Sequence, residues 1–353
     1  MGLRYIGSKA RVVDEILDLL GTPSGDAHTL VDGFCGTGAV AVAAAALGWN
    51  VGLNDALYSA VVMAAARLVT PDDVPFAAFG GYAATIERLN KTPGFPGFIA
   101  REYSPLSVGL TGLERRYFTV DNAAKIDARR ARIRAWWDDG RLTTSEHHLL
   151  LGDLMLAANR VANTAGTYGC FLSAWSSVSL QAMALQPRDL ANHEVQVTAT
   201  VGDVLAVPCC PTDVAYFDPP YTKRQYAAYY HILETIAAGD EPVVEGVTGL
   251  RPWKHLASDY CYRSRALGAL DQLVAYCPAS RVLLSYSSEG HVPREALEAA
   301  LAGHGDVRVH QIGGIGRYRP NRAAATRGGN SVQEYVFEVT RATMPAVAAE
   351  AAA

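Results

Sequence analysis

The run Val214-Ala215-Tyr216-Phe217-Asp218-Pro219-Pro220-Tyr221 constrains this chain more than any other segment. Four consecutive apolar residues bounded by turn formers read as a buried strand. The two prolines end it, because each fixes φ and lacks a backbone N–H to continue a ladder. Asp218 therefore stands at the carboxyl end of a buried strand, where open α/β sheets bind their ligands.

Other segments agree. Thr29–Asp32 reads as a short strand, the alanine-rich stretch after it as a helix, and residues 50–53 as a second strand. Residues 66–195 carry mostly helical periodicity. Within them, 145–163 sets Leu149, Leu150, Leu154, Ala157, Ala158 and Val161 on one apolar face. Strand signals return at 195–201, 214–217, 281–286 and 335–339, with a helix at 293–301. Strand–helix alternation broken by a helical block predicts one doubly wound α/β sheet with an inserted helical domain. The expected units are 1–65 and 196–342 as two parts of one catalytic domain, 66–195 as the insertion and 343–353 as a frayed tail. Residues 313–329 read as a long surface loop.

Half of the 353 residues are apolar and 19% are charged, which excludes a disordered chain. No apolar run nears the roughly 20 residues that cross a bilayer, and the amino terminus lacks the apolar segment of a signal peptide. The six cysteines (35, 170, 209, 210, 261 and 277) form no C-x-x-C pair and no Cys/His zinc spacing. A cytoplasmic protein without a metal site is expected. A formal charge of −4 opposes a uniformly positive surface but leaves room for local basic patches.

Candidate ligand-binding residues cluster at predicted strand ends. Gly33-Phe34-Cys35-Gly36-Thr37-Gly38 joins the first strand to the first helix, and its glycines let backbone N–H groups approach a ligand. The spacing is G-x-x-G-x-G, unlike the dinucleotide G-x-G-x-x-G, and no Walker lysine follows. Asp55 ends the second strand, where it fits either a ribose-diol acceptor or a helix N-cap. Asp203 follows a third strand as a cofactor contact or a turn cap. At Asp218 and Pro219, a carboxylate and a carbonyl can together hold the two hydrogens of an exocyclic amino group. Pro220 stiffens the turn, and Tyr221 offers a ring for stacking on a flat base.

Taken together, these motifs resemble the Dam-like DNA adenine methylases, in which the cofactor loop precedes the catalytic tetrapeptide. Tyr5-Ile6-Gly7-Ser8-Lys9 resembles that family's amino-terminal motif, whose aromatic residue and lysine lie against the cofactor. Phe34, Gly36 and Gly38 match its glycine loop, Asp55 its ribose acid, and Asp218 to Tyr221 its catalytic motif, with Asp218 also bordering the cofactor. Arg224-Gln225-Tyr226, Tyr230-His231, 285–290 and 334–337 are further matches; the run Tyr221 to Tyr226 is most similar to methylases of type IIS restriction systems. The resemblance implies a Rossmann-like fold, S-adenosylmethionine as cofactor and methyl transfer to the amino nitrogen of an adenine flipped out of duplex DNA. Cytosine amino-methylation and a catalytically silent DNA-binding member stay open as alternatives.

Residues 114–137 hold seven basic side chains (Arg115, Arg116, Lys125, Arg129, Arg130, Arg132, Arg134) against three acidic ones. They read as a solvated helix face or, in the inserted block, as a DNA-contacting surface. Lys223 and Arg224, beside the tetrapeptide, and Arg317 and Arg319, in an arginine-containing stretch at 308–327 without acids, are further candidates. Tyr168, Phe171 and Trp175 read either as neighbours of the flipped base or as a local apolar cluster. Expected partners are double-stranded DNA and a cognate restriction endonuclease, with the chain itself a monomer or weak dimer in the nucleoid of a prokaryotic or phage-infected cell.

Overall fold

The computed structural model describes residues 7–315 and 332–341. Tyr5, Arg317, Arg319, most of the predicted 313–329 loop and the 343–353 tail lie outside the described residues. Within them a seven-stranded sheet runs in the order β3-β2-β1-β4-β5-β7-β6. Its strands are β1 (Thr29–Asp32), β2 (Asn50–Asp55), β3 (Val197–Val201), β4 (Val214–Phe217), β5 (Arg281–Ser287), β6 (Asp306–Ile315) and β7 (Val332–Thr340). Pairings from β3 through β5 are parallel; β7 is antiparallel to both of its neighbours. The strand order reverses between β1 and β4, so the carboxyl ends of these two central strands flank the crevice in which such sheets bind ligands.

The apolar run of β4 is buried on both faces, as its composition requires. Val214 and Tyr216 join one core with Val12, Ile16, Val40 and Ala44, under the helices Val13–Leu20 and Ala39–Ala46. Ala215 and Phe217 join the opposite core with Leu270, Leu273 and Leu297, under the helices Ala266–Tyr276 and Arg294–Leu301. A period of two along the strand assigns alternate residues to the two helical layers.

The helical block contains Tyr82–Lys91, Phe98–Tyr103, Val120–Asp138 and Thr144–Arg160. The predicted face of 145–163 is buried throughout: Leu149, Leu150, Leu154, Ala157, Ala158 and Val161 all enter one core. That core also takes Val62 and Met63 from the helix after β2, and Ile232, Leu233 and Ile236 from the helix His231–Ala238. The block is thus continuous in packing with helices that flank the sheet. The stretch predicted as a surface loop from 313 begins instead within β6, which extends to Ile315. Among the described residues, no helix is long and apolar enough to cross a membrane.

Candidate active site

Three carboxylates stand at neighbouring strand ends: Asp32 on β1, Asp55 on β2 and Asp218 after β4. All three line one cavity of about 430 Å³, together with Gly33 to Thr37, Asp203, Pro220 and the segment 255–260. The turn from β1 into its helix needs glycine. A Cβ at Gly33 would sit 2.6 Å from the Phe217 ring, and Gly38 combines φ +73° with only 2.9 Å to Ala64 Cβ. The turn is anchored by Asp55, whose Oδ2 accepts from Gly36 N–H (3.1 Å) and whose Oδ1 accepts from Leu57 N–H (3.0 Å). Asp55 therefore braces the local backbone and lines the cavity at once. Asp203 is similar: it accepts from Leu205 N–H (3.1 Å), capping a short 3-10 turn, while bordering the same space.

Burial dominates the titration of these acids. It lifts the Asp32 carboxyl to about 8, aided by the charges of Asp218 and Asp55. It lifts Asp55 to about 6, outweighing the Leu57 and Gly36 N–H groups that favour the anion. Asp32 Oδ1 is buried without a hydrogen-bond partner. Clustered carboxyls held partly protonated by burial and mutual repulsion suit a cationic ligand, whose charge would favour their ionised forms.

Asp218 is 15% exposed, and its Oδ1 lies 3.2 Å from Lys9 Nζ in an ion pair that lacks hydrogen-bond geometry. Lys9, 3% exposed, donates instead to Glu334 Oε2 on β7 at 2.8 Å. Burial raises the Asp218 carboxyl to about 6, with Lys9 pulling it down and Glu334 pushing it up. Burial opposes the charge on Lys9, yet Asp218, Tyr221 and Glu334 together hold its ammonium well above the ordinary range. Its Nζ also lies 5.4 Å from the centre of the Tyr221 ring. Pro219 is buried, and Tyr221 packs edge-on against Tyr286 at 5.9 Å. Neither Pro219 nor Tyr221 lines the cavity, whereas Asp218 and Pro220 do. Phe34 sits edge-on to Tyr260 (5.4 Å) and to Phe217 (6.3 Å).

A family model described as the D12 class N6 adenine-specific DNA methyltransferase matches residues 5–299. The chain belongs to that family. It is 31% identical over 346 residues to the type II methyltransferase M.FokI of Planomicrobium okeanokoites, covering 96% of this chain and 53% of that protein. Similarity to the modification methylase StsI of Streptococcus sanguinis is equal, at 31% over 349 residues, covering 96% and 52%. The type II methyltransferase M.NlaIII of Neisseria lactamica is 31% identical over 342 residues, covering 95% and 97%. The chain thus spans about half the length of the first two relatives and nearly all of the third.

Within this D12 chain the basic cluster separates by burial. Arg129 is 2% exposed and donates to the carbonyls of Lys125 (3.1 Å) and Asn90 (3.2 Å). Arg130 donates to the carbonyls of Ile236 (2.7 Å) and Ala237 (3.1 Å), closing the end of the helix His231–Ala238. Arg129 is thus a buried packing group rather than the DNA-facing candidate read from the sequence, and half-buried Arg130 spends two donors on a helix end. Arg115 is likewise buried against Glu102 (2.7 Å). Arg134 is exposed and paired with Asp138 (2.8 Å), while Arg132 and Lys223 are exposed and Arg224 is half-buried. The sequence carried a signal for Arg129: it shares a helical face with Asn122, Ile126, Ile133 and Trp136, all buried. Tyr168 is buried in the helical core, its hydroxyl donating to Asn159 Oδ1 (3.1 Å), which fits the apolar-cluster reading. Glu334 fell in a segment read only as flanking the site, and nothing local in the sequence marks it as the partner of Lys9.

Proposed function

We propose that this chain transfers a methyl group from S-adenosylmethionine to the exocyclic amino nitrogen of adenine in duplex DNA. The observation that carries the reading is the junction of the acid-lined cavity with Asp218, within a chain of the D12 family. The residues suit that cofactor: the cavity falls in the size range of small-ligand sites, and the unpaired Asp32 oxygen and raised carboxyls suit a cationic molecule. Asp55 would take the ribose diol, Asp203 and Phe34 the adenine end, and the glycine turn the close approach of backbone. When bound, the sulfonium supplies an electrophilic methyl group. Asp218 and the Pro219 carbonyl then accept from the target amino group, drawing its lone pair out of the ring and aiming it at the methyl. Lys9 keeps Asp218 ionised, and Asp218, near 6, can take the proton released after transfer. Tyr221 would stack on the flipped base.

Exposed cations of the helical block, such as Arg132, would then face DNA phosphates, making residues 66–195 a target-recognition unit. Action on cellular or phage DNA would place the enzyme in the cytoplasm, and the names of its relatives favour a restriction-modification setting. Incubation with S-adenosylmethionine and a random duplex library, read by single-molecule sequencing, tests this reading. N6-methyladenine in one short motif, lost in a folded Asp218→Ala variant, is expected. Methylated cytosine, or activity that survives Asp218→Ala, would overturn it.

A further inference from the structure

One wall of the cavity is formed by neither the sheet nor a long helix. The connection 239–265, between the helices His231–Ala238 and Ala266–Tyr276, sends a strap across the carboxyl edge of the sheet. From this strap His255, Leu256, Ala257, Ser258, Asp259 and Tyr260 all border the cavity, as do Asp55, Ala56 and Leu57. It consists of two three-residue 3-10 turns, Lys254–Leu256 and Asp259–Cys261, and takes no part in the sheet. Connections of such length with little regular structure inside a compact fold are commonly functional coverings.

Its middle is fastened at one residue. Gln225, 8% exposed, accepts from Ser258 N–H through Oε1 (2.9 Å) and donates to the Ser258 carbonyl through Nε2 (3.2 Å). The side-chain amide satisfies both backbone groups of Ser258, as a neighbouring strand would. To either side, Leu256 and Trp253 pack on Leu57 and Ala227, Tyr260 meets Phe34 edge-on, and the Cys261 carbonyl lies 3.1 Å from His291 Nε2. Those contacts are ring packing, apolar packing or a hydrogen bond at the strap's far end. Among the described residues, Gln225 holds both backbone groups of Ser258 over the cavity, and beside it the Cys261 thiol donates to the Arg224 carbonyl (3.2 Å). Gln225 lies four residues beyond Tyr221, in the Arg-Gln-Tyr run that the catalytic mechanism leaves unused.

We propose that Gln225 is a positioning residue that latches the 254–260 strap over the cofactor, and that release of this latch is the step by which cofactor product leaves. The proposal rests on the S-adenosyl reading of the cavity. Because Gln225 lies four residues beyond Tyr221 on the same loop, the latch ties the covering of the cofactor to the loop that holds the target base. Cofactor residence and base positioning are then mechanically linked.

The test uses radiolabelled S-adenosylhomocysteine and the full chain. Gln225→Ala removes both hydrogen bonds and should speed ligand dissociation about tenfold, the scale of two net hydrogen bonds. Gln225→Glu keeps the acceptor but sets a carboxylate against the Ser258 carbonyl, and it should weaken retention as well. In the unaltered chain, amide hydrogen exchange over 254–261 should slow on adding ligand, while exchange in β1 and β4 stays constant. This readout does not depend on any variant folding. Dissociation unchanged in Gln225→Ala, or strap amides as protected without ligand as with it, overturns the latch while leaving the cofactor reading intact. Absence of ligand binding by the unaltered chain overturns both.

Discussion

Lys9 donates to Glu334 across 2.8 Å, joining residues 325 positions apart beside Asp218. The ammonium is shared, since Asp218 Oδ1 lies 3.2 Å away on its other side. Removing its charge with Lys9→Met strands two buried carboxylates, a change on the order of 3–5 kcal/mol. A fall in thermal midpoint, with the acid limb of kcat/KM moved above pH 6, is the expected result. Glu334→Gln should move that limb the other way, because the Glu334 charge raises the Asp218 carboxyl. Identical acid limbs in both variants and the parent would refute the arrangement.

The strand-end acids make the free protein sensitive to alkali. Asp32 titrates near 8 and Asp55 near 6, each above the ordinary 3.8 of an unfolded aspartate. Between these values the native chain holds more protons than the unfolded chain, so stability from these groups is complete below about pH 4 and lost as pH rises through 6 and then 8. Their contribution to the thermal midpoint should therefore decline from pH 5 to 9. Asp32→Asn should flatten the upper half of that decline. A cationic ligand reverses the trend, so S-adenosylmethionine should bind more tightly at pH 8 than at pH 6 by titration calorimetry.

Steric constraint at the glycine turn predicts a stability defect. Gly38→Ala forces a side chain into φ +73° and against Ala64, and should lower stability by about 1–3 kcal/mol in urea titration. Gly52→Ala is the control. Its Cβ would meet only ordinary contacts at 3.6 Å, and its φ is unstrained, so little change is expected.

For the basic cluster, burial predicts two kinds of behaviour. Arg130→Ala leaves the carbonyls of Ile236 and Ala237 without their donor and should lower the thermal midpoint while leaving the salt dependence of DNA binding unchanged. Arg132→Ala should spare stability and reduce the slope of log affinity against log salt by about one. An unchanged slope in Arg132→Ala would remove that side chain from the interface.

The strand runs and the turn chemistry make the central sheet readable from the sequence, because β1 and β4 are local apolar runs ended by Gly33 and by Pro219-Pro220, with β2 between polar ends at Asn50 and Asp55. The helical face of 145–163 was readable for the same reason. A count of charges over 114–137 ignores which helical face carries them, and so groups buried Arg129 with exposed Arg132. Arg129 donates to the Asn90 carbonyl and Arg130 to those of Ile236 and Ala237, acceptors that lie on distant elements. Glu334 and Gln225 lie within short motifs, but their partners, Lys9 and Ser258, are brought near only by the folded chain. Such pairs leave no periodic trace in one sequence.

The position of β7 bears on how the chain assembles during synthesis. It lies between β5 and β6 yet is made after both, so a growing chain carries two unsatisfied strand edges until 332–340 appears. Open edges of this kind invite pairing with other chains. The closing strand also delivers Glu334 to Lys9. A nascent chain that still exposes an adhesive edge therefore lacks the charge partner of Lys9, and acquires it in the same event that removes the edge.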